Sequence, residues 1–165
     1  MIVVNSVSEL YKLVRQRIKE QGPNCDLNDI DVSHITDMSY LFHGLEFNGD
    51  ISKWNVSNVE DMYGMFGRSK FNGDISNWDT SNVKKMGFMF HHSEFNGDIS
   101  KWDVRKVTEM VCTFKESKFS GNLSSWRVDS LSDMSGIFRE SPLDGNEPWW
   151  YNKYIDYMNY MSYIN

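Results

Sequence analysis

Apolar and polar residues alternate along this chain in a pattern that repeats every 24 residues. The string FNGDIS marks the clearest copies, at 47–52, 71–76 and 95–100. Its alternation predicts a short strand in which Ile75 points inward and its polar neighbours point outward. A second apolar series then places Val83, Met86 and Phe90 at i, i+3 and i+7, which predicts a helical turn with one apolar face.

Residues at equivalent positions of successive copies, here called a column, are of the same type. The Trp column comprises Trp54, Trp78, Trp102 and Trp126, and the first Phe column comprises Phe47, Phe71, Phe95 and Phe119. This register divides the chain into a degenerate first unit at 23–46, clear units at 47–70, 71–94 and 95–118, a divergent fifth at 119–142 and a half-unit at 143–150. One such unit cannot bury its own apolar face, so the units must stack to form a core.

The predicted fold is therefore an α/β leucine-rich-repeat-like solenoid, a single domain with a short parallel strand ladder and short helices. The string FNGDISNWDTSNVKKMGFMF resembles the repeats of the BspA-like leucine-rich-repeat family of bacterial and mycoplasma surface proteins. The resemblance extends over residues 23–142. It implies a solenoid that binds other proteins or host surfaces, and it carries over no catalytic residue.

Both ends of the chain are interpreted as caps that cover the terminal units. Residues 1–22 predict a helix, because Ser6 and Glu9 fit a capping box and Gly22-Pro23 ends the helical pattern. Residues 143–165 predict a half-repeat followed by an aromatic cap. An alternative for this aromatic segment is an exposed interface with a partner or a second copy of the chain, formed by Trp149, Trp150, Tyr154 and Tyr157.

An Asp column lies within the FNGDIS strings and comprises Asp26, Asp50, Asp74 and Asp98, with Asn122 at its end. One interpretation is that each carboxylate accepts a hydrogen bond from a backbone N–H of its own turn. The alternative is an acidic stripe that contacts a basic partner or a cation. The predicted partner-binding residues are Asp50, Ser52, Lys53, Asp74, Ser76, Asp98, Ser100 and Lys101.

Composition restricts the functional classes. A net charge of −6 argues against nucleic acid as a partner, since phosphate binding requires basic patches. The two cysteines, Cys25 and Cys112, are expected to be free thiols, and the four histidines show no ligand spacing, so neither a metal nor another cofactor is expected. No catalytic motif is recognisable. No apolar run is long enough to span a membrane.

The leading functional hypothesis is a non-enzymatic protein-binding module. With no recognisable secretion signal the expected location is the cytoplasm, where the protein would act as a small phage- or mobile-element-encoded inhibitor of a host defence complex. The alternative is a secreted or surface adhesin that binds host proteins or cells, if a signal was trimmed from the sequence.

Overall fold

The computed structural model describes residues 1–164, with side chains described to residue 160. Asn165 and the side chains of 161–164, which belong to the predicted C-terminal cap, lie outside the described residues. Regular secondary structure is confined to the two ends of the described chain. The strands are β1 (Ile2–Val3) and β2 (Ile30–Asp31), and the helices are α1 (Val7–Gln21) and α2 (Trp149–Ile164).

Helix α1 begins and ends where its sequence predicts. The Ser6 side chain accepts a hydrogen bond from the Glu9 backbone N–H, which satisfies one of the free donors of the first turn. Gly22 ends the helix with a positive φ of 90°. Leu10 and Val14 are fully buried on the inner face, and β1 pairs in parallel with β2, so the N-terminal segment is attached to the first unit.

Successive 24-residue units lie side by side and are joined by parallel bridges. These bridges connect Asp37, Asp61, Lys85, Glu109 and Asp133 in series. The sequence predicts the ladder in the FNGDIS segment instead, where the structure has a single bridge, Asp26 to Asp50. Side chains take up the backbone donors of that segment: the Asn72 N–H donates to the Asn48 side chain and the Ser76 N–H donates to Asp74, so the segment forms turns.

The prediction of short helices within the units is wrong, because among the described residues the units form turns. Phe88 has a φ of 56°, and each other unit has a positive φ at the same position. The Phe88 and Phe90 N–H groups donate to carbonyl groups of the next unit, on Val111 and Thr113. A helix would use these donors within its own segment, four residues back, so bonding between units replaces helix formation.

Columns of large apolar side chains form the core. Phe71 stacks on Phe95 at a centroid distance of 6.2 Å, and the second Phe column, which contains Phe66 and Phe90, stacks at 5.7 Å. Each buried Trp donates its indole N–H to a carbonyl of the preceding unit, as Trp78 does to Ile51 O. The core therefore continues from unit to unit with its indole N–H groups paired.

Gly73 and its equivalents allow close packing within each unit and against the unit before it. A glycine can be needed here either because the backbone has a positive φ or because neighbouring atoms leave no room for a Cβ. The φ values of these glycines lie outside the left-handed region, so the second reason applies. A Cβ at Gly73 would lie 2.8 Å from the Phe71 ring, and one at Gly49 would lie 1.9 Å from the Cys25 carbonyl oxygen. A side chain at either position would force the Phe ring or the neighbouring backbone to move.

Candidate functional site

The predicted partner-binding residues form one polar surface along the units. The Asp and Lys members are exposed and the Ser members are half-buried. The Asp50, Asp74 and Asp98 carboxylates each accept a hydrogen bond of 2.9 Å from the Ser backbone N–H two residues later. Each carboxylate therefore has a structural partner in its own turn, as the first interpretation of the Asp column predicts.

The turn hydrogen bonds determine the electrostatics of this polar surface. The Ser76 N–H lowers the pKa of Asp74 below its ordinary value of 3.8, although the Asp50 and Asp98 charges on either side act to raise it. Hydrogen bonding from Ser52 and Ser100 likewise lowers the pKa of Asp50 and of Asp98. These carboxylates are thus charged at neutral pH, and the stripe offers regularly spaced negative charges with Lys53 and Lys101 beside them.

The predicted aromatic interface divides into two kinds of residue. Trp150 is 2% exposed and continues the Trp column: it stacks on Trp126 at 6.4 Å and donates its indole N–H to Leu123 O. The Tyr154 hydroxyl donates to Ser132 O at 2.7 Å. Trp149 and Tyr157, by contrast, are 59% and 57% exposed. The first pair therefore fixes α2 to the last unit. The second pair is mostly exposed, although the Trp149 indole N–H also donates to Ser124 O at 2.9 Å.

A cleft of about 790 Å³ lies between α2 and the fifth unit. Trp126 and Leu131 contribute from the fifth unit, and Trp149, Tyr154 and Tyr157 contribute from α2. Beyond the cleft, Met158 is 45% exposed and Tyr160 is 63% exposed. Sequence periodicity assigns these residues to one helix, but separating the covered side chains from the exposed ones requires the contacts with the fifth unit.

A row of aromatic rings lies on the surface formed by the bridged segments. Tyr63 contacts both Tyr40 and Phe88 at centroid distances of 5.5 Å, and His91 packs edge-on against Phe88. Tyr40 is exposed, and Tyr63, Phe88 and His91 are half-buried. None of them is among the partner-binding residues that the sequence predicts. The signal that would find them lies in two neighbouring columns: Tyr40 and Phe88 occupy a column that is otherwise Gly or Cys, and Tyr63 occupies one that is otherwise Ser, Gly or Val.

Three residues with metal-binding side chains meet at the end of this aromatic row. Ligand atoms of His91, His92 and Glu116 lie within 4.8 Å of one another, although the sequence suggests no ligand spacing for the histidines. His92 Nε2 is 2.6 Å from Glu116 Oε2. Burial, with a smaller contribution from His92, lowers the pKa of His91. The signal in the sequence is the separation of 24 residues between His92 and Glu116, which places them in one column.

Within the described residues, no helix combines the length and apolar character needed to cross a membrane. The two cysteines are free, Cys25 buried and Cys112 half-buried. Both observations concern the described part of the chain only.

Comparison with known proteins gives one family match. A family described as "Mycoplasma protein of unknown function, DUF285" matches residues 8–116 and 91–164, two overlapping segments that together span most of the chain. No curated protein and no solved structure matches.

Proposed function

The chain belongs to this DUF285 family of Mycoplasma proteins, and from that premise we propose that it is a non-enzymatic protein-binding module built as a leucine-rich-repeat-like solenoid of the BspA-like type. Bridges and hydrogen bonds that join equivalent positions of neighbouring units support the solenoid. The Trp and Phe columns support the BspA-like assignment, since the resemblance rests on those residues. Such stacks present long surfaces on which units of similar backbone carry different side chains.

The exposed hydrophobic side chains of α2 are the observation that carries the binding proposal. Of the nine exposed large hydrophobic residues among the described side chains, five lie on this one helix. They are Trp149, Ile155, Tyr157, Met158 and Tyr160. Aromatic residues and Met are enriched in the central parts of protein interfaces, and a concentrated apolar patch on an otherwise polar surface is typical of a binding site.

The charge of α2 also favours a protein partner. Lys153 and Asp156 are the only Lys, Arg, Asp or Glu residues in its sequence, so the helix lacks the basic face that anionic membranes and nucleic acids attract. The cleft beside α2 offers an anchor position between Trp126 and Trp149 for a side chain of the partner. The polar surface with Lys53 and Lys101 is the second contact region in this proposal.

Family membership favours one of the two targets that the sequence suggests. The family is described as a Mycoplasma family, and the repeat resembles those of mycoplasma surface proteins, which supports an adhesin that binds a host protein or cell. An inhibitor of a host complex, encoded by a phage or mobile element, draws support from the small size and acidity of the chain.

Affinity capture with matched variants tests the proposal. The tagged chain is presented both to intact host cells and to soluble lysate, alongside Trp149→Ser/Tyr157→Ser, Lys53→Ser/Lys101→Ser and the control Tyr40→Ser, which removes an exposed aromatic ring from the first unit. We expect a protein partner whose capture is lost in the α2 double variant and retained in Tyr40→Ser. Capture from intact cells identifies the adhesin, and capture from lysate identifies the inhibitor.

Three other outcomes change the proposal. Loss of capture only in the Lys53/Lys101 variant moves the site to the polar surface. No specific capture from either source contradicts protein binding, unless light scattering of the chain alone gives twice the monomer mass. In that case a second copy of the chain is the partner, and the Trp149→Ser/Tyr157→Ser variant should be monomeric.

A further inference from the structure

The cluster of His91, His92 and Glu116 is specific to the junction of the third and fourth units. The column that contains His92 and Glu116 has Gly44, Arg68 and Glu140 in the other units. The column of His91 has a second histidine, His43, in the first unit, but there Gly44 follows it. Only this junction combines two adjacent imidazoles with a carboxylate in the neighbouring unit.

The backbone of the repeat brings the three side chains together. In an extended segment, consecutive side chains point to opposite sides. His92 instead has a φ of 53°, and the rings of His91 and His92 lie 4.3 Å apart. The His92 N–H donates to Lys115 O at 3.0 Å, which holds the Glu116 segment alongside. This column has a positive φ in every unit, so the backbone conformation is common to all units. The combination of these three side chains occurs only at this junction.

We propose that His91, His92 and Glu116 bind one divalent transition-metal ion, with Zn²⁺ as the preferred class. Two imidazole nitrogens and one carboxylate are ligands that Zn²⁺ takes at about 2.0–2.2 Å, in sites that leave a fourth position open. Imidazole nitrogens select such ions over Mg²⁺ and Ca²⁺, which prefer oxygen ligands. The ligand atoms already lie within 4.8 Å of one another, and His92 is exposed while His91 and Glu116 are half-buried, so small side-chain rotations complete the site.

Positively charged neighbours compete with the metal. Lys115 Nζ lies 3.0 Å from Glu116 Oε1, and the charge of Arg68 acts on His91. Binding therefore has to displace the His92–Glu116 pair and weaken the Lys115 contact. Removal of the Lys115 charge should for this reason strengthen metal binding, an effect that a purely structural ion pair would not produce.

Metal titration of the untagged 165-residue chain tests this site. Calorimetry with ZnCl₂ should give one ion per chain. The His92→Gln and Glu116→Gln variants should each bind at least about tenfold more weakly, since loss of an outer-shell partner alone costs about 10–100-fold. Lys115→Gln should bind several-fold more tightly. His43→Gln removes the other histidine in the column of His91, and this variant should bind zinc like the unaltered chain.

Cobalt(II) provides a spectroscopic check on the ligands. With CoCl₂ we expect visible absorption bands of a low-coordinate ion bound by nitrogen and oxygen, without the ultraviolet band of a bound thiolate. Circular dichroism verifies that each variant is folded, and His92→Gly provides a second variant that tolerates the positive φ. Three results would each overturn the assignment: no binding, binding by the His92 and Glu116 variants as tight as by the unaltered chain, or a thiolate band from Cys112. None of these outcomes bears on whether α2 binds a protein.

Discussion

At the scale of single residues, the buried indole N–H groups connect each unit to the one before it. Ile51 O accepts hydrogen bonds from the Trp54 backbone and from Trp78 Nε1, and the equivalent carbonyl of each following unit is paired in the same way. The Trp side chain therefore fills space and also fixes the register between units. Phe at this position would retain much of the volume and lose the bond.

The Trp78→Phe variant tests this role. We expect the free energy of unfolding to fall by about 2–4 kcal/mol, the sum of a lost buried hydrogen bond and the vacated ring volume. Trp149→Phe is the control: Trp149 also donates to a carbonyl, on Ser124, but it is 59% exposed, so the loss should be below about 1 kcal/mol. Urea denaturation monitored by circular dichroism measures both. Equal losses would contradict the role of the buried bond.

The Asp column should give the protein a sensitivity to acid. Turn hydrogen bonds hold the pKa values of Asp50, Asp74 and Asp98 below 3.8, and Arg105 holds that of Asp103 at about 2. A carboxylate whose pKa is lower in the folded state stabilises that state above the ordinary pKa, and this stabilisation is lost as the pH falls through the folded value. The melting temperature should therefore be constant near pH 7 and decrease between about pH 4 and pH 2.

Substitutions at Asp74 separate the effect of its charge on stability from the effect of its turn hydrogen bond. Asp74→Asn retains the acceptor for the Ser76 N–H, as Asn122 does in the fifth unit, so the melting temperature at pH 7 should change little and the decrease in acid should become smaller. Asp74→Ala should lower the melting temperature at pH 7, because the Ser76 N–H loses its partner. Thermal melts from pH 2 to pH 7 compare them. If Asn and Ala behave alike, the turn hydrogen bond has no role in stability.

At the scale of elements, the sequence predicts some features and leaves others undetermined. Helix α1 can be predicted because its cap residues, Ser6 and Gly22, act through local geometry. The turns that contain Phe88 cannot, since Val83, Met86 and Phe90 have the spacing of a helix face, and the positive φ is imposed by hydrogen bonds to the next unit. The same limit applies to His91 and His92, because their meeting with Glu116 depends on how neighbouring units align.

Arg68 tests the positive φ within a turn. Its φ is 56° in the column where the first unit has Gly44, and a left-handed conformation costs a residue with a Cβ about 1–2 kcal/mol. Arg68→Gly should therefore increase the free energy of unfolding by about 1 kcal/mol, after the entropic cost of glycine in the unfolded chain. Exposed Lys70, which lacks a positive φ, is the control, and Lys70→Gly should be destabilising. Chemical denaturation measures the free energy of unfolding of both variants. An equal decrease in the two would contradict the turn geometry.

At the scale of the whole molecule, the solenoid proposal predicts that one unit can be removed. Excision of 71–94 brings Phe95 next to Phe47, and every column and bridge position remains in register. We expect a cooperatively folding chain with a lower melting temperature and a smaller urea m-value, because less surface is buried. Removal of 71–82 is the control: it deletes half a unit, shifts the columns by twelve positions and should leave no cooperative transition. If both deletions unfold the chain, the units do not stack as independent neighbours. If both deletion variants fold, the register of the columns does not determine the core.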